Sequence, residues 1–319
     1  MTTAHLLLDR RSLPSSNEPI ALAPSMIEAT SLAFTYAPAR TTILLYGETG
    51  SGKTYFAQFI HDVSGRSGGF HMLNLGTVAP QLVPDELFGH VKGAFTGADR
   101  RRAGCIAEAG GGTLLLDDLQ TVNLEEQKRL YGVLDGRGYH PVGSNCVVMA
   151  GCRFILAMTE HPHALMKQGL LWKDLRYRYG ANAIRIPPLR ERREEIPLHA
   201  QRALVRCPGV TGVDGPTRFS DAAMALLCAG EWEGNVRELA SVVECAYLRA
   251  RAAGAEQIGV EQLPDGLAPV LRYQRRGDPQ LNRVAVERAL KMTGENVKAA
   301  AKLLGVSRTT LNSFRRRRW

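Results

Sequence analysis

Residues 42–54 read TILLYGETGSGKT, an apolar run that breaks into glycines and ends on a lysine and a threonine. The run Thr42–Tyr46 is short and bounded by glycine, which fits a buried parallel strand. Gly47 to Thr54 then match G-x-x-x-x-G-K-[ST], the pattern of a phosphate-binding loop. The glycines let successive backbone N–H groups wrap an anion, and a following helix presents the positive end of its dipole to it. Lys53 supplies a point charge at the β/γ-phosphates, and the Thr54 hydroxyl can ligate Mg²⁺. The pattern carries meaning only between a strand and a helix, and Tyr55–Asp62 supplies the helix. Gly47, Glu48, Thr49, Gly50, Ser51, Gly52, Lys53 and Thr54, with Tyr55 opening the helix, are therefore read as a nucleotide-binding set.

Moving outward, strands alternate with helices. Phe70–Leu73, ending at Asn74, reads as a second strand. Thr113–Leu116 follows three glycines and runs into Asp117-Asp118, and Arg153–Ala157 leads to Thr159. Ala183–Ile186 is a fifth strand, closed by Pro187-Pro188. Helices are predicted at Ser25–Tyr36 and at Leu124–Leu134, where Leu124, Gln127, Leu130, Tyr131 and Leu134 recur at helical spacing. The alternation implies an α/β fold with a parallel sheet covered on both faces. An apolar strand ending in acids downstream of a phosphate loop is the Walker B arrangement. Asp117 would hold the metal and Asp118 would polarise the attacking water. An acidic pair at a strand end can also be a helix cap; its place after the phosphate loop favours the chemical reading.

One stretch has neither period: Gly93-Ala94-Phe95-Thr96-Gly97-Ala98. Glycines at both sides place Phe95 and Thr96 at a loop tip. An exposed aromatic at a tip needs something to grip; the alternative is a surface turn with Phe95 folded inward.

From Glu194 the pattern is helical without strands, at Glu194–Val205, Ser220–Ala229 and Asn235–Ala252, with Ser220 as an N-cap. A glycine- and proline-rich linker follows. Then Leu281–Met292, Asn296–Leu304, the turn Gly305-Val306-Ser307 and a helix through Arg308, Leu311, Phe314 and Arg315 make a helix-turn-helix. Residues 271–319 hold 13 Lys/Arg against 3 Asp/Glu, a net of +10, whereas the whole chain is +9. Nearly all the basic excess thus lies in the last 49 residues, which points to nucleic acid. The resulting organisation is an irregular lead-in at 1–23, an α/β unit at 24–190, a helical unit at 191–253, a linker at 254–280 and a DNA-binding module at 281–319. At 45% hydrophobic and 22% charged residues the composition is that of a soluble globular protein. No run suits a membrane span or a secretory leader, and the six cysteines show no metal-ligand spacing. These features predict a cytoplasmic, nucleoid-associated address and no membrane partner.

In this order, GETGSGKT (47–54), ELFGH (86–90), GAFTGA (93–98), GGTLLLDD (111–118), PPLRER (187–192) and WEGNVREL (232–239) resemble the bacterial enhancer-binding proteins, the AAA+ activators of sigma-54 RNA polymerase. NVKAAAKLLGVSRTTL (296–311) resembles their Fis-type helix-turn-helix. The likeness covers about residues 20–319, without an N-terminal sensory domain. It implies ATP and Mg²⁺ as ligands, a hexameric ring, and sigma-54 polymerase and enhancer DNA as partners. It implies sigma-54 contact by Gly93, Ala94, Phe95, Thr96, Gly97 and Ala98. Arg178 falls on an arginine finger acting in the neighbouring subunit's site, and Arg237 on the sensor arginine of the lid. Asn74 falls on the residue that restrains the catalytic acid, and Thr159 where a sensor asparagine is usual. Ser307, Arg308, Thr309, Thr310, Asn312 and Arg315 are the implied DNA contacts. Asp118 stands where the family has Glu, Trp172 where it has a second finger arginine, and Glu233 where it has Pro. These departures keep a second reading open, a DNA-binding regulator with weak or lost ATPase activity that works with a related partner subunit.

Overall fold

The computed structural model describes residues 18–207 and 215–264, together with 286, 289, 290, 293, 296–303, 308, 311 and 312. The lead-in before residue 18, the linker beyond 264 and most of the two outer helices of the helix-turn-helix lie outside the described residues. Contacts divide the chain into two compact units, Met1–His199 with Trp232–Glu238, and Ala200–Glu231 with Leu239–Trp319.

The first unit is built on a five-stranded parallel sheet. Its strands are β1 (Ile43–Tyr46), β2 (Phe70–Asn74), β5 (Thr113–Asp117), β6 (Arg153–Met158) and β7 (Ala183–Arg185), in the order β2-β5-β6-β1-β7. Successive side chains of a strand face opposite sides, and the apolar runs are long enough to feed both. Leu44, Leu114, Leu116, Phe154 and Leu156 enter one core. Ile43, Leu45, Leu115, Ile155 and Ala157 enter the other. Helices α1 (Pro24–Tyr36) and α2 (Lys53–Asp62) cover the second face, where Met26, Ala29, Ala33, Phe56, Phe59 and Ile60 meet the strands. Helix α5 (Leu124–Leu134) covers the first through Leu130 and Val133. Arg153, 1% exposed at the start of β6, donates to the carbonyls of Tyr36 and Ala37 at 2.9 and 2.7 Å and so closes the end of α1.

Two elements add to the predicted ones and one predicted boundary is corrected. Ahead of the 93–98 loop stands a helix, α3 (Val83–Phe88). The loop itself is not an isolated turn. Strands β3 (Gly89–His90) and β4 (Arg102–Ala103) pair antiparallel at its base, because the flanking residues find backbone partners in each other. The helix predicted from Glu194 starts at Ile196, as α8 (Ile196–Arg206), after two 3-10 turns at Leu189–Glu191 and Arg193–Glu195. Arg192 and Glu195, at these turns, are buried.

The first unit also carries helices α4 (Cys105–Glu108), α6 (Pro162–Lys167) and α7 (Lys173–Tyr179). In the second unit α9 (Asp221–Ala229) is capped by Ser220 Oγ, which accepts from the Ala223 N–H at 3.2 Å. Helix α10 (Asn235–Ala252) buries Leu239, Val243, Ala246 and Tyr247. Helix α11 (Val297–Leu303) is capped by Asn296, whose Oδ1 accepts from Lys298 N and Ala299 N, both at 3.1 Å. Val286, Ala289, Leu290, Ala300, Ala301 and Leu311 form a separate small core.

Candidate active site

The strand order explains the site. The ends of β2, β5, β6 and β1 lie side by side, so Asn74, Asp117-Asp118, Thr159 and the loop beginning at Gly47 stand in a row along the carboxyl edge of the sheet. This is the edge at which open α/β sheets bind ligands.

Two glycines of the 47–54 loop adopt conformations that favour glycine. Gly50 and Gly52 have φ of +75° and +104°. A Cβ on Gly50 would meet the Gly234 carbonyl oxygen at 2.2 Å, whereas one on Gly52 would meet nothing within 4 Å. The open space at Gly52 lies at the N-terminus of α2, where backbone N–H groups have no partner within the helix. Lys53 is 7% exposed, and its ammonium donates to the carbonyls of Gly47 at 2.8 Å and Glu48 at 3.1 Å. Burial pushes the Lys53 ammonium below its ordinary value, Asp117 and Asp118 oppose that shift, and Arg237 adds to it. Ser51 is 2% exposed, and its hydroxyl has no partner among the described residues. Thr54 Oγ1 lies 3.4 Å from Asp117 Oδ2. Two hard oxygens converge there beside the N-terminus of α2, a donor set that suits Mg²⁺ with a phosphate. Tyr55 follows on α2, and its hydroxyl lies 3.5 Å from the Glu18 carbonyl.

Asp118 has left-handed backbone, φ +57° and ψ +42°, which turns its carboxylate back along the sheet edge. Asn74 Nδ2 donates to its Oδ2 at 3.2 Å and Gln120 Nε2 to its Oδ1 at 3.1 Å. Thr159 follows β6 directly and is half-buried.

Arg178 and Arg237 differ. Arg237 is in the first turn of α10, next to Val236, whose N–H donates to the Gly50 carbonyl at 3.0 Å. Arg178, on α7, pairs instead with Asp135 at 2.9 Å, with its side chain 57% exposed. Trp172 has a packing role. Its N–H donates to Gln127 Oε1 at 2.9 Å, and its ring meets Tyr131 edge-on at 4.9 Å.

Several residues that hold the site had no assigned role in the sequence reading. Asn235 is fully buried with φ +57°. Its amide donates to the Thr49 carbonyl at 3.0 Å and to Glu48 at 3.2 Å, and its oxygen accepts from Leu189 N at 2.7 Å. Glu48 pairs with Arg190 through both oxygens, and that guanidinium holds the Glu48 carboxyl below the usual range. Arg192, 2% exposed, donates to the Ser51 carbonyl at 2.5 Å and pairs with Glu195 at 3.3 Å. Glu195 in turn accepts from Leu22 N and Ala23 N at 2.9 and 3.1 Å. The only signal was that Asn235, Arg190 and Arg192 sit inside the WEGNVREL and PPLRER blocks, and nothing in those strings says what they touch.

The loop at 93–98 hangs from different supports. Gly93 and Gly97 have φ of +80° and +98°, with open space where a Cβ would stand. Gly93 N donates to the Ala98 carbonyl at 2.8 Å, closing the loop. Ala98 is buried, and Phe95 is 47% exposed with its ring edge-on to His90 at 5.0 Å. Thr96 is exposed. His90 is fixed by Asp85 at 2.6 Å, and Arg102 grips Glu86 at 2.8 and 2.7 Å. A second loop backs the first, since Val91 N donates to the Val142 carbonyl at 3.1 Å. A Cβ on Gly143 would also strike Ala94 at 2.7 Å. Of the expected DNA contacts, Arg308 is helical and exposed and Asn312 helical and half-buried; Ser307, Thr309, Thr310 and Arg315 lie outside the described residues.

Comparison with known proteins bears on this geometry. Residues 20–185 match the Sigma-54 interaction domain, 190–278 the AAA+ ATPase lid domain, and 279–313 the Fis family of bacterial regulatory proteins. The chain is 38% identical over 296 residues to the transcriptional regulatory protein ZraR of Escherichia coli K12, covering 90% of this chain and 66% of ZraR. It is 35% identical over 280 residues to the C4-dicarboxylate transport transcriptional regulatory protein DctD of Pseudomonas aeruginosa, covering 86% and 59%. The chain thus spans about two thirds of the length of these curated relatives. Among solved structures, NtrX of Brucella abortus superposes with a TM-score of 0.72 at 24% identity, over 92% of this chain and 68% of NtrX. Its complex with ATP gives 0.69 at 25% identity, over 93% and 68%.

Proposed function

The chain belongs to the sigma-54-dependent transcriptional regulators, and on that premise we propose that it is an ATP-driven activator that remodels sigma-54 polymerase at promoters. The supporting observation is a division of labour in one unit. A phosphate loop with paired acids occupies the sheet edge, and a separately braced loop presents Phe95 and Thr96 to solvent.

ATP is the substrate. Its phosphates are received by N–H groups of the loop at the start of α2 and by Lys53, which leaves the Gly47 and Glu48 carbonyls to do so. Thr54 and Asp117 would hold Mg²⁺, which offsets phosphate charge when bound. Asp118 takes the proton of the attacking water, and Asn74 sets when it is available. Arg178 is exposed and so can reach a neighbouring subunit's site, which motivates a ring, read as a hexamer, of this chain alone or with a related subunit. Arg237 reports nucleotide occupancy to α10. Phe95 and Thr96, within residues 93–98, contact sigma-54, and the C-terminal module holds enhancer DNA through Arg308, Asn312 and their neighbours.

The test is promoter opening with sigma-54 polymerase, enhancer DNA and ATP. Thr96→Ala should retain ATPase within about twofold and lose open-complex formation, because it alters the output and not the site. Full opening by that variant would remove the loop's role. Lys53→Ala should lose ATP binding, and unchanged binding would remove the phosphate-loop assignment. A second reading, a DNA-binding regulator with a weak ATPase, is favoured by one observation, that both oxygens of Asp118 are engaged by amides.

A further inference from the structure

The two amides on Asp118 are not equivalent. Asn74 is oriented by a backbone contact: Gly76 N donates to its Oδ1 at 2.9 Å, which turns its NH₂ to the acid. Gln120 has no such guide. Only its NH₂ can face a carboxylate. With Nε2 on Asp118, its Oε1 is buried without a hydrogen-bond partner among the described residues. An unpaired buried carbonyl is destabilising and calls for a reason. Gln120 also lines a groove of about 270 Å³ with Leu75, Val78, Asn123 and Leu170. The side chain therefore has somewhere to turn where its oxygen could be solvated.

We propose that Gln120 is a second latch on Asp118, a positioning residue that acts with Asn74 to hold the acid back. This rests on the ATPase reading above. While both amides donate, each carboxylate oxygen has one acceptor site taken up by an amide. When Gln120 swings into the groove its oxygen gains partners and Asp118 Oδ1 is released to accept the water's proton. The unpaired Oε1 makes the latched state poised, so a small change in the surrounding turn at Leu119–Thr121 shifts the balance.

The test is steady-state ATPase kinetics of the full chain for wild type, Gln120→Ala, Gln120→Glu, Asn74→Ala and the double variant Asn74→Ala/Gln120→Ala. Thermal midpoint and binding of a fluorescent ATP analogue are measured on each. Loss of one hydrogen bond predicts that Gln120→Ala raises kcat about three- to tenfold with KM for ATP within about twofold. Gln120→Glu keeps the size, cannot donate at neutral pH and repels the carboxylate, so its kcat should rise at least as far. It carries the test if Gln120→Ala proves unstable. The double variant should exceed either single one. Turnover in wild type with unchanged or lower kcat in both Gln120 variants would overturn the latch and leave the ATPase reading intact. No turnover in any variant, with the analogue still bound, would overturn both.

Discussion

Asn235 concentrates much of the support of the phosphate loop in one side chain. Its four partners are the Thr49 and Glu233 carbonyls, the Leu189 N–H and the Glu48 carboxylate, so one amide joins the 47–54 loop to the turn before α8 and to its own turn. Its left-handed backbone suits asparagine better than most residues, since a short polar side chain tolerates that conformation. Asn235→Ala should lower stability by about 2–4 kcal/mol, the sum of unpaired groups and strained backbone. Chemical denaturation measures this, and an ATP-analogue titration should show weaker binding because Thr49 and Glu48 lose their anchor. Asn235→Gly also loses these hydrogen bonds but accepts the left-handed backbone without strain, so its shortfall from wild type reads the hydrogen bonds. If it were as stable as wild type, the hydrogen bonds would carry no weight. Asp118 makes the same point about chemistry: its identity and place are plain in the string GGTLLLDD, but the amides of Asn74 and Gln120 that engage it come from 44 and 2 residues away.

At the scale of an element, the turns between β7 and α8 act as a strap. Glu195 links the N–H groups of Leu22 and Ala23 to Arg192, and Arg192 reaches the Ser51 carbonyl. The segment entering α1 is thereby tied to the phosphate loop through buried charge. Breaking such a pair from one side strands the other charge, so Glu195→Gln should cost about 3 kcal/mol. Burial alone would raise the Glu195 carboxyl, but contacts from His199, Ala23, Arg192 and Leu22 hold it below its ordinary value. With the folded value below the unfolded one, its contribution is complete above about pH 4.3 and is lost as pH falls through the folded value. Urea midpoints followed from pH 7 to pH 3 should therefore fall more steeply for wild type than for Glu195→Gln. Parallel curves would show that Glu195 contributes no pH-linked stability. The loop at 93–98 is likewise held by an element, the β3–β4 pair with Arg102 on Glu86. Stiff supports and an open tip suit a segment that transmits motion.

At the scale of the whole molecule, charge separates the roles. The first 270 residues are close to neutral and the last 49 carry the basic excess. Deleting residues 315–318, four arginines, should weaken binding to every DNA tested and flatten the logarithmic salt dependence by up to about 3–4 units. A loss confined to one sequence would instead assign the run to base reading. Sequence alone determined the sheet and its strands, the strand-loop-helix at 42–62, the place of Asp117 and Asp118 at a strand end, and the family, because these rest on short-range signals. They are apolar runs of strand length, glycines where φ must be positive, and charged residues at strand ends. Tertiary structure decided the order β2-β5-β6-β1-β7, which brings Asn74, Asp118, Thr159 and Lys53 into one row. It also decided the roles of Asn235, Arg192, Glu195 and Gln120. A polar side chain looks the same in sequence whether it is solvated or buried. What it does depends on which backbone groups folding leaves for it to satisfy, and those groups lie up to 186 residues away.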